Sequence, residues 1–368
     1  MKKLFFIAAI AGAALVSCTK NELAPSVTEQ QEISFDNPVL SVVTKAATEI
    51  ADNFPTTKDF AVFAHHYAGG AYTNLAGGTL YMNNVQVTYD GSKGTNGSWG
   101  SSPAYYWPKS GSLTFAAYAP YMSSGVSYGA TGIHFDDYKI ASSADSQVDL
   151  LFSERAYDKT NVDQKASNPY YYGVQINFFH ALSSIQFKVA MDSELATSAA
   201  NYQIVVTGIN VLNAYSQGDF SQKLTDGPGN TTPAVATGDW SDYKTPVTYA
   251  AYSDATGISL EDDDPKSTVT GTNKTNLILL PQPLKHGSAS DDSDEVKVQV
   301  TYKISHDGME SGTYVEETAT VSLNSTSLDE WLRGKRYIYT LTIGLEEIRF
   351  SPKVADWVDY DPEPGATL

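Results

Sequence analysis

The stretch 296-VKVQVTYKI-304 decides the fold class of this chain of 368 residues. Apolar and polar residues alternate through the whole stretch, and this period of two is typical of a β-strand that buries one face. The alternation stops at the turn sequence His306-Asp307-Gly308, and a second β-prone run follows at 314–323. The two runs and the turn between them predict a β-hairpin.

The same alternation recurs along the chain, with clusters of Gly, Ser, Asn and Asp between the alternating runs. It is found at residues 85–89, 113–117, 174–178, 185–189 and 337–343. The sequence has no long segment with the 3.6-residue period of a helix, and the clearest helical candidate is short, at 328–333, with Gly334 as its stop. Many short strands separated by turns indicate an all-β protein of the sandwich class, with few short helices.

Changes in composition suggest how the chain is divided. Residues 191–200 are polar and helix-tolerant and lie between two strand-rich halves. We therefore expect an N-terminal domain over 46–190 and a C-terminal domain over 191–368, which also agrees with the length of the chain. Residues 253–275, which include the acidic run Glu261–Asp264, read as a surface loop. The sequence shows no strong internal repeat.

The N-terminal residues have the form of an export signal. Two lysines precede an apolar run, 4–16, which is too short to span a bilayer as a helix, since that takes about 20 residues. The run ends in Leu15-Val16-Ser17-Cys18, a pattern like a bacterial lipobox. We expect cleavage after the signal peptide 1–17 and acylation of Cys18, which would attach the chain to a membrane. An ordinary signal peptide with an incidental cysteine is the weaker alternative.

Cysteine usage and charge exclude several classes of protein. Cys18 is the only cysteine, so the chain cannot form an internal disulfide. The chain has 24 basic and 42 acidic residues and a net charge of −18, and loss of Lys2 and Lys3 with the signal leaves 22 basic residues. This acidic balance argues against a nucleic-acid partner and against electrostatic attachment to anionic lipid.

Motifs that carry catalysis or bind cofactors are missing from the sequence. The six histidines form no zinc signature, and there is no P-loop or dinucleotide fingerprint. The acidic clusters Glu261–Asp264 and Asp291–Glu295 lack the spacing of a calcium loop. We expect no enzyme activity, no metal and no cofactor. A glycan-processing enzyme remains the weakest alternative, because a pair of carboxylates from distant strands leaves no sequence motif.

Tyrosine is frequent, with 24 residues, and forms clusters at Tyr105-Tyr106-Trp107 and at 170–172. Aromatic side chains stack on sugars and anchor protein interfaces, so these clusters could bind a host glycan or protein. Aromatic residues are also favoured in strands, where they fill the core. Core packing is the more common role of such residues.

Several stretches, taken together and in this order, resemble one known family, the fimbrillin (Mfa-like) pilus subunits and related lipoproteins of Gram-negative gut and oral bacteria. They are the lipobox at Cys18, Thr44-Lys45-Ala46, 104-AYYWPKSGSLTFAAYAPY-121, 148-VDLLFS-153, 176-INFFHALSSIQFKV-189, 276-NLILLPQPL-284 and 331-WLRGKRYIYTLTIGLEEIRFSPKVADW-357.

The resemblance implies a fold and an assembly mechanism. The fold would be two transthyretin-like β-sandwich domains in tandem, preceded by a tether and propeptide strand over 18–45. The lipidated precursor would reach the outer membrane. A trypsin-like protease would then cut between Lys45 and Ala46 and release a strand within 33–44. The resulting open groove would be filled by a terminal strand of another pilus subunit, giving a fimbrium that supports adhesion.

Two features of this chain depart from the family pattern. Lys45 stands where arginine is common, which bears on the identity of the protease. The last residues, 359-DYDPEPGATL-368 with the acids and prolines they contain, would make a poor donor strand, because proline cannot donate to a ladder. A donor would then lie within 348–358. The alternative function is a surface lipoprotein that stays anchored through Cys18 and binds glycan or protein without polymerising.

Overall fold

The computed structural model of the chain describes residues 31–43, 48–93, 97–161, 173–224, 237–268, 276–287, 293–345 and 347–357. Strands dominate these ranges, so the all-β prediction is confirmed. In the first half of the chain the strands are β1 (Val39–Val43), β2 (Thr48–Asn53), β3 (Asp59–Tyr67), β4 (Thr79–Asp90), β5 (Ser98–Ser101), β6 (Ser112–Ala119), β7 (Val126–Gly129), β8 (Gly132–Lys139), β9 (Leu151–Ser153), β10 (Ala156–Lys159), β11 (Asn177–His180) and β12 (Ser183–Met191).

The second half of the chain contains the longest strands and the predicted hairpin. Its strands are β13 (Gln203–Gln222), β14 (Gly238–Leu260), β15 (Lys266–Ser267), β16 (Leu277–Leu279), β17 (Lys297–Ser305), β18 (Val315–Ser322), β19 (Lys335–Ile343) and β20 (Ile348–Asp356). β17 and β18 pair antiparallel along their lengths, as the alternating sequence predicts. Short helical elements in the described ranges include the helix α1 (Ser193–Ala196) and single 3-10 turns at Leu75–Gly77 and Ala144–Ser146.

The strands form three sheets. The first has the order β2-β1-β11-β9-β6-β3-β4-β5, with β10 paired to β6; its pairs are antiparallel except for β1 with β11, which are parallel. The second has the order β15-β12-β19-β20, with β16 on β12. The third has the order β18-β17-β13-β8-β7, with β14 on β13. β7 and β8 therefore join a sheet that is otherwise built from the second half of the chain.

The centre of the first sheet, strands β3, β6 and β9, is buried on both faces. Along β3, Phe60 and Val62 point into one hydrophobic cluster, while Ala61 and Phe63 point into another. This is why every residue of β6 is buried and why its sequence lacks a polar face. The cluster that contains Phe60 and Val62 lies beneath residues 31–43. The other cluster also contains the apolar residues of the second and third sheets.

Two local predictions differ from the structure. The stretch 328–333 is extended rather than helical, because its backbone pairs with the neighbouring 282–284. Trp331 N donates to the Gln282 carbonyl at 2.9 Å, and this pairing holds the Trp331 side chain in the core, 1% exposed. Residues 253–260, predicted as part of a loop, belong to β14. Tertiary contacts override local propensity in both places.

The polar stretch 191–200 does contain a helix. In α1 the Asp192 side chain accepts a hydrogen bond from the Glu194 amide and so caps the first turn. No helix within the described ranges is both long and apolar enough to span a bilayer. The division of the chain into domains at residue 190 stays a prediction.

Candidate functional site

The candidate site is the extended N-terminal segment, residues 31–43, together with the groove that holds it. One edge of the groove is formed by β5 and the residues that follow it. Ile33 N donates to the Tyr105 carbonyl at 2.7 Å, and Phe35 N donates to the Trp99 carbonyl at 3.0 Å. The N-terminal segment runs antiparallel to this edge.

The other edge of the groove is the chain leading into β11. Asp36 N donates to the Val174 carbonyl at 3.0 Å, and Val174 N donates back to the Ser34 carbonyl at 2.9 Å. Further along, Val39 N donates to the Ile176 carbonyl at 3.1 Å, and β1 continues parallel to β11. The N-terminal segment therefore lies between two edges, in the place that a strand of the fold would occupy.

Side chains of the N-terminal segment complete the core beneath it. Ile33 and Phe35 are each 1% exposed and Leu40 is 3% exposed. The Phe35 ring meets the rings of Phe60 and Phe115 edge to face, with centroids 5.6 and 5.7 Å apart. Such aromatic pairs contribute about 0.5–1.5 kcal/mol beyond the burial of their area. Without the segment, this aromatic core would lose its cover.

The core under the N-terminal segment is rich in aromatic residues that contact one another. Phe60 packs against Trp99 at 5.3 Å and against Phe178 at 5.8 Å between ring centroids. Phe54, which follows β2, packs against the same two rings. Phe54 N also donates to the Pro38 carbonyl at 2.8 Å. Phe54 therefore connects the chain after β2 both to the N-terminal segment, through its backbone, and to the core, through its ring.

Gly173 explains how the N-terminal segment approaches the groove so closely. Its φ is +148°, and a Cβ atom at this position would lie 2.4 Å from the Phe35 carbonyl carbon and 2.6 Å from Asp36 N. Two backbones meet here with no room for a side chain, which only glycine allows. The groove is therefore shaped for a peptide backbone.

One ion pair joins the N-terminal segment to the rim of the groove, and a second polar contact lies beside β11. The Lys93 Nζ atom lies 2.7 Å from a carboxylate oxygen of Glu32, and both side chains are partly exposed. On the β11 side, Asn177 donates a hydrogen bond of 2.7 Å to the Glu154 carboxylate. Burial raises the pKa of Glu154, and the hydrogen bond from Asn177 opposes that shift. The rim thus combines an ion pair with a carboxyl group that is costly to ionise.

The family model described as fimbrillin-like matches residues 44–357, most of the chain. This chain belongs to the fimbrillin-like family. The resemblance seen in the sequence is thereby confirmed. The family is fimbrial rather than enzymatic, which agrees with the lack of catalytic motifs. No curated protein matches this sequence.

Solved structures similar to this chain include fimbrial and cell adhesion proteins. A fimbrial protein from Bacteroides vulgatus superimposes with a TM-score of 0.57 at 20% identity, covering 89% of this chain and 99% of that one. A candidate cell adhesion protein from Bacteroides uniformis gives a TM-score of 0.47 at 15% identity, covering 90% and 99%. The tip fimbrial protein Mfa3 from Porphyromonas gingivalis gives 0.35 at 9% identity, covering 82% and 94%. The first of these likenesses shows a shared fold.

The residues predicted for processing of this fimbrillin-like chain lie outside the described ranges. Cys18 precedes the first described residue, and Lys45 and Ala46 fall in the gap between β1 and β2. The strands on either side of that gap are described, and they pair with each other antiparallel from Val43 with Thr48 onward. The predicted cut therefore falls in the connection of a hairpin.

The first tyrosine cluster has a structural role that its sequence does not reveal. The Tyr105 carbonyl accepts from the N-terminal segment, and Trp107 N donates to the Gln31 carbonyl at 2.9 Å. Trp107 is buried and only Tyr106 is exposed, at 41%. The cluster lines the groove instead of forming an open platform. The second cluster, at 170–172, lies outside the described residues.

The acidic clusters do not form a metal site where the structure describes them. Within the described ranges, no group of three or more His, Cys, Asp or Glu side chains converges as metal ligands would. Glu295 instead accepts hydrogen bonds from Ser322 and Asn324, and these bonds lower its pKa. It also contacts Lys285 at 3.3 Å. Its role is to join β17 to its neighbours.

Proposed function

We propose that this chain is a fimbrial subunit, made as a precursor whose N-terminal segment occupies the groove until assembly. Export and acylation of Cys18 would bring the precursor to the outer membrane. A trypsin-like protease would cut between Lys45 and Ala46 and release residues 18–45. The subunit would then join a fimbrium on the cell surface that supports adhesion.

This proposal rests on one observation. The N-terminal segment lies between two strand edges and its side chains complete the core beneath it. Its release would leave the backbone groups of Trp99, Tyr105 and Val174 without partners and would expose the aromatic core. An unpaired buried backbone group costs about 1–3 kcal/mol, and an uncovered apolar surface adds to that cost. Such a groove would bind an extended strand from another subunit by β-strand addition.

The position of the predicted cut also supports the proposal. A cut in the connection between β1 and β2 separates the N-terminal segment from everything that follows, while β2 and Phe54 stay with the rest of the chain. A cut before the segment would leave the groove occupied. A cut after Phe54 would remove part of the aromatic core. Lys45 is the one basic residue between β1 and β2.

The test compares fibres from cells that carry Lys45→Gln with fibres from cells that carry Lys58→Gln. Lys58 is an exposed lysine shortly after β2 and is the matched control. We expect Lys45→Gln to abolish polymers in material sheared from the cells and to leave the lipidated precursor at normal abundance. Lys58→Gln should assemble normally. Normal fibres from Lys45→Gln would refute the proposed processing and would favour the anchored lipoprotein that binds glycan or protein.

A further inference from the structure

A cavity of about 540 Å³ lies in the part of the chain that follows β12. Three segments line it: the first is the start of β14, residues 238–243, the second is residues 281–283 and the third is residues 330–333. Its volume is within the range of about 300–1,000 Å³ that is common for small-molecule sites. None of the three segments forms an edge of the groove that holds the N-terminal segment, so the processing of that segment does not account for the cavity.

Hydrogen bonds join each pair of these three segments, so the cavity is preformed. The Tyr243 hydroxyl in the first segment donates to the Pro281 carbonyl in the second at 2.8 Å. Arg333 Nε in the third segment donates to the Gly238 carbonyl in the first at 3.1 Å. The backbone bond of Trp331 described above joins the third segment to the second. A preformed cavity loses little conformational freedom when a ligand binds, which favours affinity.

Aromatic and apolar side chains form much of the cavity wall. Trp240 and Trp331 are buried, Tyr243 is half-buried and Leu332 is 47% exposed. The Tyr243 ring stacks on Tyr215, with centroids 5.4 Å apart and the ring planes at 15° to each other. This stacking fixes the orientation of the Tyr243 ring in the wall. An aromatic ring fixed in this way can pack against the apolar face of a sugar.

Charged groups also line the cavity. Asp239 in the first segment and Glu330 in the third are both exposed. Burial raises the pKa of the Tyr243 hydroxyl, and the carboxylates of Glu330 and Asp239 raise it further. Burial lowers the pKa of the Arg333 guanidinium, and Asp239 opposes that shift. Both carboxylates therefore lie within reach of a ligand that packs on Tyr243.

The charge balance of the cavity favours a neutral ligand. The two carboxylates are offset by the Arg333 guanidinium in the wall and by Lys223, which forms an ion pair with Asp239. An anion would meet Asp239 and Glu330 on a chain whose net charge is −18, and a cation would meet Arg333. A sugar suits both parts of the cavity. Its C–H face matches the aromatic wall, and its hydroxyls match carboxylates, which accept strong hydrogen bonds.

We propose that this cavity binds a neutral sugar at the end of a glycan, on a surface to which the fimbrium adheres. The sugar ring packs on the aromatic wall at Tyr243, and its hydroxyls donate to Asp239 and Glu330. The inference rests on the adhesive role in the proposed function. It requires neither the cut after Lys45 nor the release of the N-terminal segment.

The test applies the uncut chain from residue 19 to a printed array of neutral, sialylated and sulfated glycans that also carries a lysine-rich peptide. Glu330→Gln and Asp239→Asn keep the size of each side chain and remove its charge. Glu316→Gln is the matched control, at an exposed glutamate of β18 that does not line the cavity. Lys223→Gln removes the ion pair and keeps the Asp239 carboxylate. Denaturant unfolding checks that every variant is folded.

We expect the unchanged chain to bind neutral glycans. Glu330→Gln and Asp239→Asn should each weaken this binding at least about tenfold, because each loses a charge-assisted hydrogen bond. Glu316→Gln and Lys223→Gln should bind as tightly as the unchanged chain. Equal binding by all four variants would refute the cavity as the site. Binding confined to the charged glycans or to the peptide would overturn the neutral sugar, and no binding at all would refute the inference.

Fibres sheared from cells that carry Glu330→Gln separate this inference from the proposed function. We expect polymers in normal amount that bind the neutral glycan at least about tenfold less than wild-type fibres, because the substitution lies outside the groove. Normal polymers with normal binding would refute the sugar site alone. A wild-type chain that stays a lipidated monomer at the cell surface but binds neutral glycans through this cavity would refute the proposed function and leave the sugar site intact.

Discussion

The N-terminal segment and β20 share three apolar residues at matching spacing, Ile33, Phe35 and Val39 in the segment and Ile348, Phe350 and Val354 in β20, yet the fold buries them to different extents. The segment has strand neighbours on both edges and an aromatic core beneath it, so Phe35 is almost fully buried. Within the described ranges β20 has a strand neighbour on one edge only, and Phe350 is half-buried. The spacing of apolar residues determines which side chains can be buried, whereas the neighbouring strands and core determine how much each side chain contributes to stability.

The largest expected effect comes from truncating the two matched phenylalanines. Phe35→Ala in the uncut chain from residue 19 should lower the free energy of unfolding by about 3–5 kcal/mol, because it leaves a cavity against Phe60 and Phe115. Phe350→Ala should cost about 1 kcal/mol, because that ring is only half-buried at a sheet edge. Denaturant unfolding measures both, and equal losses would contradict the difference in burial.

The next effect concerns the backbone contact at Gly173. Gly173→Ala should lower the free energy of unfolding of the uncut chain by about 2–3 kcal/mol, because the new Cβ overlaps the backbone of Phe35. Gly312→Ala is the matched control, since Gly312 also has a positive φ but nothing within 4 Å of its Cβ position. The same denaturant unfolding measures both variants. If both lose the same stability, backbone strain alone is responsible and the close approach contributes nothing.

A smaller effect is expected at the rim of the groove. Lys93→Ala removes the ion pair with Glu32 and should cost no more than about 1 kcal/mol, because both groups are partly exposed and screened by solvent. The loss in the free energy of unfolding should be smaller at high salt, because salt screens the ion pair. Lys109→Ala, at another exposed lysine, controls for the change in net charge. A loss above about 2 kcal/mol, roughly twice the upper range of exposed ion pairs, would mean that the rim contributes far more to holding the segment than its exposure suggests.

The smallest effect, and the only stabilising one, is expected at Glu154. Burial raises the pKa of its carboxyl group, so the folded state resists ionisation and the group's contribution to stability falls as pH rises through the folded pKa. Glu154→Gln keeps an acceptor for Asn177 without the charge. It should slightly increase the free energy of unfolding at neutral pH and have no advantage in acid, below the unfolded pKa. Unfolding curves across pH measure this, and a loss of stability at neutral pH would contradict it.

The sequence predicted the strands well because their burial is periodic. The alternation at 296–304 and the turn at His306-Asp307-Gly308 were sufficient to predict the hairpin of β17 and β18. The sequence pattern was less informative where strand pairing depends on residues that are distant in the sequence. The stretch 328–333 has helical composition, but its backbone bonds to 282–284, and no local pattern reports that contact.

The candidate site was predicted in part. The resemblance to fimbrillins indicated a strand within 33–44, and residues 39–43 do form β1. The deep burial of Ile33 and Phe35 was not predicted, because Asp36, Asn37 and Pro38 interrupt the alternation around them.

The most direct measurement is the intact mass and N-terminal sequence of the protein sheared from the cell surface. We expect a chain that begins at Ala46, without the N-terminal segment and without lipid, in polymers held together by strand addition. A polymer whose subunits begin at acylated Cys18 and retain residues 31–43 would contradict assembly by strand addition, because each groove would still be occupied by its own segment.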